Sequence, residues 1–165
     1  MSNETVVYER HFIEKLGFSV EIPNNWQKIE NYPFMGAGTE GYFYPTNLAH
    51  DPQIFFNKTV LKLRKQIDNF FETFADQLMQ SALKNLASEQ FEIITQIHSK
   101  IDDFPARIDV FVFQSPNFEV PVTQYQVCWQ NHQTLYALVG MVESTQELEY
   151  LPIFETVAAS IRYQA

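Results

Sequence analysis

Four consecutive segments between residues 91 and 142 have the residue patterns of strands, and this run constrains the fold more than any other feature. Period-2 alternation is typical of strands, and the turn sequences DDFP and NHQ separate the first pair and the last pair of segments. In the first segment the pattern places Phe91, Ile93 and Ile97 on one face. The four predicted strands span about 91–100, 106–114, 121–130 and 134–142.

The third and fourth of these strands indicate which faces of the sheet are covered. Tyr125, Val127 and Trp129 share one face of the third strand, whereas Gln124, Gln126, Cys128 and Gln130 share the other. The fourth strand is apolar on both faces, which is typical of a central strand covered on both sides.

Helical periodicity occurs in two other places. Residues 69–87 carry apolar side chains at helical intervals, and Asn69 and Glu72 have the spacing of a capping box. Ser144 and Glu147 repeat that spacing. Because a proline is disfavoured inside a helix, we expect a short turn first and then a helix over 152–162, with Pro152 in its first turn.

The N-terminal third begins with the stretch GFSVEIPNNW at residues 17–26. Phe18, Val20 and Ile22 define one face of a strand that ends at Pro23, which has no N–H for a ladder. We expect the chain to fold back at the two asparagines, so that Trp26 closes one end of the core. Two further strands are predicted over 40–44 and 56–65.

This order of elements predicts the α+β class. We expect a single domain over 1–165, with an antiparallel sheet of about six strands flanked by helices on both faces. Hydrophobic residues make up 45% of the 165 residues, which disfavours disorder. The chain is therefore long enough and apolar enough to bury a full core.

The same order of elements resembles the superfamily that includes the photosystem accessory protein PsbP, the Ran-binding Mog protein and bacterial DcrB-like proteins. The resemblance rests on GFSVEIPNNW, on a strand followed by a long helix and four strands, and on FETVAASIR near the end. It implies a helix–sheet–helix sandwich whose members mostly bind or help to assemble other proteins. It also extends to the Eag-type chaperones of type VI secretion, which shield apolar segments of secreted effectors.

Residue patterns for catalysis, metals or cofactors are weak. Gly36, Gly38 and Gly41 have the spacing of a dinucleotide motif, but Pro45 follows where the motif needs a helix. No two of the four histidines have metal-ligand spacing within one element. Cys128 has glutamines as its neighbours on the predicted strand face and therefore lacks a base. We expect no enzyme activity, no cofactor and no metal.

Charge, cysteine content and hydrophobic pattern indicate the class of partner and the cellular compartment. The net charge of −9 disfavours a nucleic-acid partner, and one cysteine cannot form an internal disulfide. The N-terminus lacks the pattern of a signal peptide, and no apolar stretch is long enough to span a bilayer. These features predict an acidic cytoplasmic protein without a membrane span.

Two surfaces are candidates for binding a protein or peptide. One is the aromatic and basic region of the N-terminal half, where fifteen phenylalanines in the chain suggest spare rings; core closure around Trp26 is its alternative. The other is the polar strand face that carries Gln124 and Gln126. The predicted partner-binding residues of the first surface are Tyr42, Phe43, Tyr44, Phe55, Phe56, Lys62 and Arg64.

The resulting functional prediction is a non-enzymatic protein-binding, adaptor or chaperone-like domain of the kind used by a secretion system. The alternatives are a small-ligand-binding or hydrolytic domain around His50 and Asp51, and a structural accessory subunit, monomeric or homodimeric.

Overall fold

The computed structural model describes residues 5–29, 39–45, 53–60, 70–85, 90–114, 116 and 119–163. Within them the chain forms ten strands and two helices. The elements of the first half are β1 (Tyr8–Ile13), β2 (Phe18–Pro23), β3 (Trp26–Ile29), β4 (Thr39–Pro45), β5 (Gln53–Val60) and α1 (Phe70–Asn85). Those of the second half are β6 (Gln90–Ile101), β7 (Phe104–Gln114), β8 (Val122–Asn131), β9 (Thr134–Glu143), α2 (Glu147–Ala159) and β10 (Arg162–Tyr163).

The strands form two sheets, and all pairings between described strands are antiparallel. The small sheet has the order β1-β2-β10, and the large sheet has the order β3-β4-β5-β9-β8-β7-β6. The α+β class with antiparallel pairing is therefore confirmed. The expectation of one sheet of about six strands is wrong, because the turn after β2 passes the chain to a second sheet instead of folding it back.

Successive side chains of β8 point to opposite sides of the large sheet, as the period of a strand requires. Tyr125, Val127 and Trp129 belong to the main core, together with residues of α2. Between them, Gln126 and Cys128 contact Ala75 of α1. We name these two sides the α2 face and the α1 face.

Phe18 shows why the small sheet stays attached to the large one. Its ring is fully buried among four other aromatic rings, at centroid distances of 5.5–5.9 Å. Edge-to-face and tilted pairs at such distances stabilise more than their buried area alone. The four rings belong to Phe56, Trp129, Tyr136 and Tyr163.

Trp26 lies at the margin of this core. It is half-buried, begins β3 opposite Pro45, and its ring centroid is 6.4 Å from that of Tyr150 in α2. It therefore packs against the core from the edge and is less buried than a residue that fills the interior.

The second helix begins earlier than the sequence predicted. It starts at Glu147, so Pro152 lies inside it and the prediction of a helix over 152–162 is wrong. Pro152 is exposed, whereas its helix neighbours Ile153 and Phe154 are buried. Burial of those side chains stabilises enough to offset the cost of an interior proline.

The predicted capping box at Ser144 and Glu147 is replaced by a contact with the large sheet. Ser144 lies in a 3₁₀ turn, and no side-chain hydrogen bond caps α2. Instead, the Thr123 hydroxyl of β8 donates to Glu147 Oε2 at 2.7 Å and lies 2.8 Å from Ser144 Oγ. The start of α2 is thereby attached to β8.

On the α1 face, polar contacts hold the helix. The Arg107 guanidinium of β7 contacts Asp109 at 3.1 Å and Asp76 of α1 at 2.6 Å. Arg107 is 5% exposed and Asp109 is 0% exposed. Gln96 Nε2 of β6 donates to Asp109 Oδ1 at 2.8 Å, and Gln126 Nε2 donates to the Ala75 carbonyl at 3.1 Å.

The protonation of Arg107 follows from these contacts. Burial disfavours the charged guanidinium, but the hydrogen bonds that it donates to Asp76 and Asp109, and the negative charges of these two residues, favour it, and the net effect raises the pKa of Arg107. The arginine therefore stays charged and serves as the counter-ion of a fully buried carboxylate.

Replacing Gly140 by alanine should destabilise the fold. A Cβ at this position would lie 2.7 Å from Cγ and Cδ2 of the buried Phe154 ring. We expect the free energy of unfolding to fall by about 1–3 kcal/mol, as overpacking does in other cores. Urea denaturation should show this loss, and Gly140→Ala/Phe154→Leu should lose less than the sum of the two single variants. If the double variant lost the full sum of the two single losses in free energy of unfolding, the contact between Gly140 and Phe154 would be contradicted.

The turn between β6 and β7 offers a matched pair of variants. Asp102 and Asp103 both have positive φ, 44° and 69°, a conformation that glycine adopts at low cost. Asp102 Oδ2 also accepts a hydrogen bond from the Tyr163 backbone N–H at 2.8 Å. Asp103→Gly should therefore be more stable than Asp102→Gly by about 0.5–1.5 kcal/mol. Equal midpoints in thermal unfolding would show that the bond to β10 contributes nothing.

Removing Arg107 should leave the Asp109 carboxylate buried without its counter-ion. We expect Arg107→Met to lower the free energy of unfolding by about 3–5 kcal/mol, and Arg107→Met/Asp109→Leu to recover most of that loss. Asp76→Asn is the control, since the side chain of Asp76 is 60% exposed and an exposed pair contributes at most about 1 kcal/mol. A small loss in Arg107→Met on denaturant titration would contradict this account.

Candidate protein-binding surface

The strand β6 has two properties that rarely occur together in one strand. It is an edge of the large sheet as far as the described residues go, and nearly all of its twelve side chains are exposed. Its large apolar side chains include Phe91 (49% exposed), Ile93 (43%), Ile94 (55%) and Ile97 (50%). The other large hydrophobic residues that are exposed in the described chain are Val6, Val7, Phe12 and Leu148.

The positions of the helices explain why β6 is uncovered. Helix α1 contacts β8 and β7, and α2 contacts β9, β8 and the small sheet. Both helices therefore lie over the central strands, and β6 extends beyond them on each face of the large sheet. Only its last residue, Ile101, is buried in the main core.

A β-bulge divides β6 into two parts. Ile93 pairs with Phe111 and Thr95 pairs with Val110, so one extra residue is inserted between them. As a result Ile97 lies opposite Ile108 on the α2 face, whereas Phe91 lies opposite Phe113 on the α1 face. The prediction that Phe91, Ile93 and Ile97 share one face is wrong for this reason.

The sequence prediction did not identify β6 as a surface. Alternation predicts that one face of a strand is buried, and Phe91, Ile93 and Ile97 fit that pattern. Two adjacent isoleucines, Ile93 and Ile94, interrupt the alternation and were the available signal of a bulge. Bulges are concentrated at sheet edges, so this signal also pointed to an edge strand.

The predicted aromatic surface is only partly within the described side chains. Phe43 and Phe56 are buried, with ring centroids 6.4 Å apart, so these two rings belong to the core. This outcome is the alternative that the sequence left open. The side chains of Tyr42, Tyr44 and Phe55, and the whole of Lys62 and Arg64, lie outside the described part, so their role stays a prediction.

The polar strand face is not a surface either. Gln124 is 2% exposed and Gln126 is 0% exposed, because α1 covers them. Gln124 Nε2 donates to Gln126 Oε1 at 3.3 Å, and Gln126 in turn binds the Ala75 carbonyl of α1. These amides hold the helix, and they are not accessible to a partner peptide while α1 is in place.

Cys128 shares that buried face. Burial, and secondarily the charge of Asp109, raises the pKa of its thiol, while Arg107 and Gln126 oppose the effect more weakly. A neutral thiol without access to solvent is a poor nucleophile.

The other candidate sites were the glycine motif, the pair His50 and Asp51, and the histidines. Gly36, Gly38, His50 and Asp51 lie outside the described residues, so the small-ligand or hydrolytic alternative around them stays untested. Among the side chains that the structure describes, no three His, Cys, Asp or Glu residues are close enough to share a metal ion. No described helix has the length and apolarity needed to cross a bilayer.

Comparison with known proteins gives matches in structure. No protein-family model matches the chain, and no curated protein sequence matches it. The solution structure of the cyanobacterial PsbP protein, CyanoP, from Synechocystis sp. PCC 6803 superposes with a TM-score of 0.75 at 12% identity, covering 99% of this chain and 96% of CyanoP.

Two further solved structures have similar coverage. The Ran-binding protein Mog1p of Saccharomyces cerevisiae gives a TM-score of 0.65 at 7% identity, covering 96% of each chain. LpqN of Mycobacterium tuberculosis, a protein involved in cell envelope biogenesis, gives a TM-score of 0.62 at 12% identity, covering 96% of this chain and 91% of LpqN.

At these identities the matches establish the fold. The resemblance inferred from GFSVEIPNNW and from the order of the elements is confirmed at that level: the chain has the fold shared by PsbP and Mog1p.

Proposed function

We propose that this protein is a non-enzymatic protein-binding domain of the accessory or adaptor type, and that it docks its partner on β6. The observation that carries the proposal is the set of exposed apolar residues on an edge strand. Exposed apolar side chains clustered on one element mark interaction surfaces more often than scattered ones do.

The backbone of β6 supports the same proposal. Every edge strand presents backbone N–H and C=O groups that another strand can pair with. Partner segments that add to an edge in this way gain affinity from main-chain hydrogen bonds and specificity from their alternate side chains. An edge of twelve residues gives such a segment ample length.

The fold is consistent with a binding role, because Mog1p has this fold and is a Ran-binding protein. A chaperone-like role in a secretion system is the narrower form of the proposal, in which β6 holds a segment of a partner before delivery. The proposal keeps a reducing cytoplasmic location, in which the one cysteine, Cys128, stays a thiol.

Two serine substitutions on β6 test the proposal. We expect the full-length tagged protein to recover a partner in near-stoichiometric amount from lysate of its source organism. The double variant Ile93→Ser/Ile97→Ser should reduce that recovery about tenfold, which corresponds to about 1.4 kcal/mol of binding free energy. Quantitative mass spectrometry of the captured proteins measures the ratio. Both isoleucines are about half exposed, so the variant should keep the stability of the wild type.

Leu148→Ser is the matched control, because Leu148 is 90% exposed and belongs to α2. It should leave recovery unchanged. Equal recovery by the wild type and the β6 variant, or the absence of any partner in stoichiometric amount, would argue against the proposal.

A further inference from the structure

We propose that the regular part of β6, residues 95–101, selects a partner strand in which acidic and apolar residues alternate. This inference rests on the proposed function, because it specifies the chemistry of the segment that pairs with the edge. It follows from the side chains that the two faces of this part of β6 present.

The register with β7 assigns those faces. Residues directly opposite each other in an antiparallel pair lie on the same face of the sheet. His98 pairs with Arg107 on the α1 face, and Lys100 pairs with Pro105 on that same face, two residues further along. Ile97 pairs with Ile108, which packs against the main core on the α2 face.

The α1 face of this part of β6 is therefore basic. Its side chains are Gln96, His98 and Lys100, and all three are exposed. The one carboxylate of the strand, Glu92, lies before the bulge and pairs with Val112, which places it on the α2 face. A chain with a net charge of −9 thus presents a strand face in which the ionisable groups are a lysine and a histidine.

Two carboxylates on this side of the sheet, Asp76 and Asp109, are bound by Arg107. Asp109 is fully buried and accepts from Gln96 and Arg107, and Asp76 binds Arg107 at 2.6 Å. The carboxylates under the α1 face are therefore paired with the buried arginine.

A second copy of this chain would fit the edge poorly. If residues 95–101 of two copies paired antiparallel, Lys100 would face a residue of the same set, which contains no carboxylate. Like charges on directly opposite residues destabilise a strand pair. Lysine on an edge is also a common device against self-association, so the same residue that blocks a second copy favours an acidic partner.

The complementary strand follows from this arrangement. It places an acidic side chain opposite Lys100 on the α1 face and an apolar side chain opposite Ile97 on the other face. Because successive residues of a strand alternate between faces, its sequence alternates acidic and apolar residues. Each favourable charge pair across the strands should change the affinity by about 1.4- to 5-fold.

The test uses two blocked nine-residue peptides, one alternating Glu and Val and the other alternating Lys and Val. Titration of each into the isotope-labelled full chain is followed by the backbone amide signals in NMR spectra. We expect the Glu peptide to shift the amides of 95–101 and to bind about fivefold more tightly than the Lys peptide. The preference should weaken as salt is added, since exposed charge pairs are screened.

Charge reversal separates recognition from a merely structural effect. Lys100→Glu should reverse the order of the two peptides, whereas a variant that had only lost structure would bind neither. Lys84→Glu is the control: it makes the same change of charge in the last turn of α1, and it should keep the preference for the Glu peptide.

Several outcomes would overturn the inference: equal affinity for the two peptides, shifts that map outside β6, binding of neither peptide, or a dimer in light scattering whose interface protects the amides of β6. If the peptides fail but Ile93→Ser/Ile97→Ser loses its natural partner, the proposed function stands and the acidic selectivity falls. If the peptide preference is found while that variant keeps its partner, the selectivity stands and the proposed docking of the natural partner falls.

Discussion

The contact between Gly140 and Phe154 sets how close α2 lies to the large sheet. Gly140 occupies a central strand, and the ring of Phe154 lies 2.7 Å from the position that its Cβ would take. The missing side chain lets an aromatic ring rest directly on the backbone of β9 and reach Tyr125 on β8, with ring centroids 6.3 Å apart. This approach brings the buried residues of α2 into one core with those of the small sheet.

The two faces of the large sheet are held by different forces. The α2 face is apolar and aromatic, and its stability comes from buried area and ring packing. The α1 face combines small and apolar contacts with the charges of Arg107, Asp109 and Asp76. Such a network specifies one position for the helix, because a displaced helix would leave buried polar groups without partners. Among the described residues, neither set of contacts extends over β6, whose side chains stay exposed apart from Thr95 and Ile101.

The sequence predicted the elements whose signals are local. Alternation and short turns located β6 to β9, and helical periodicity located α1. The strands β1, β3 and β10 were missed, and of these β10 is the clearest case, because it has two residues and pairs with β2, which is far away in the chain. Tyr163 in β10 illustrates this: its backbone N–H binds Asp102, and its hydroxyl accepts from Trp129 Nε1 at 2.7 Å. No local pattern encodes contacts across such separations.

The proposed binding surface was harder to predict than the fold, and a comparison of β4 with β6 shows why. Phe43 and Phe91 both lie on strands with aromatic and apolar residues, yet one is buried and the other is half exposed. What distinguishes them is whether a helix or a second sheet lies over the strand, and the sequence of a strand does not contain that information. The charged residues of a strand contain more information about its cover, because lysine is costly to bury and is favoured on an unpaired edge. Lys100 on the outermost described strand fits this rule, whereas Lys58 lies on β5, which pairs with strands on both sides, so lysine alone does not identify the edge either.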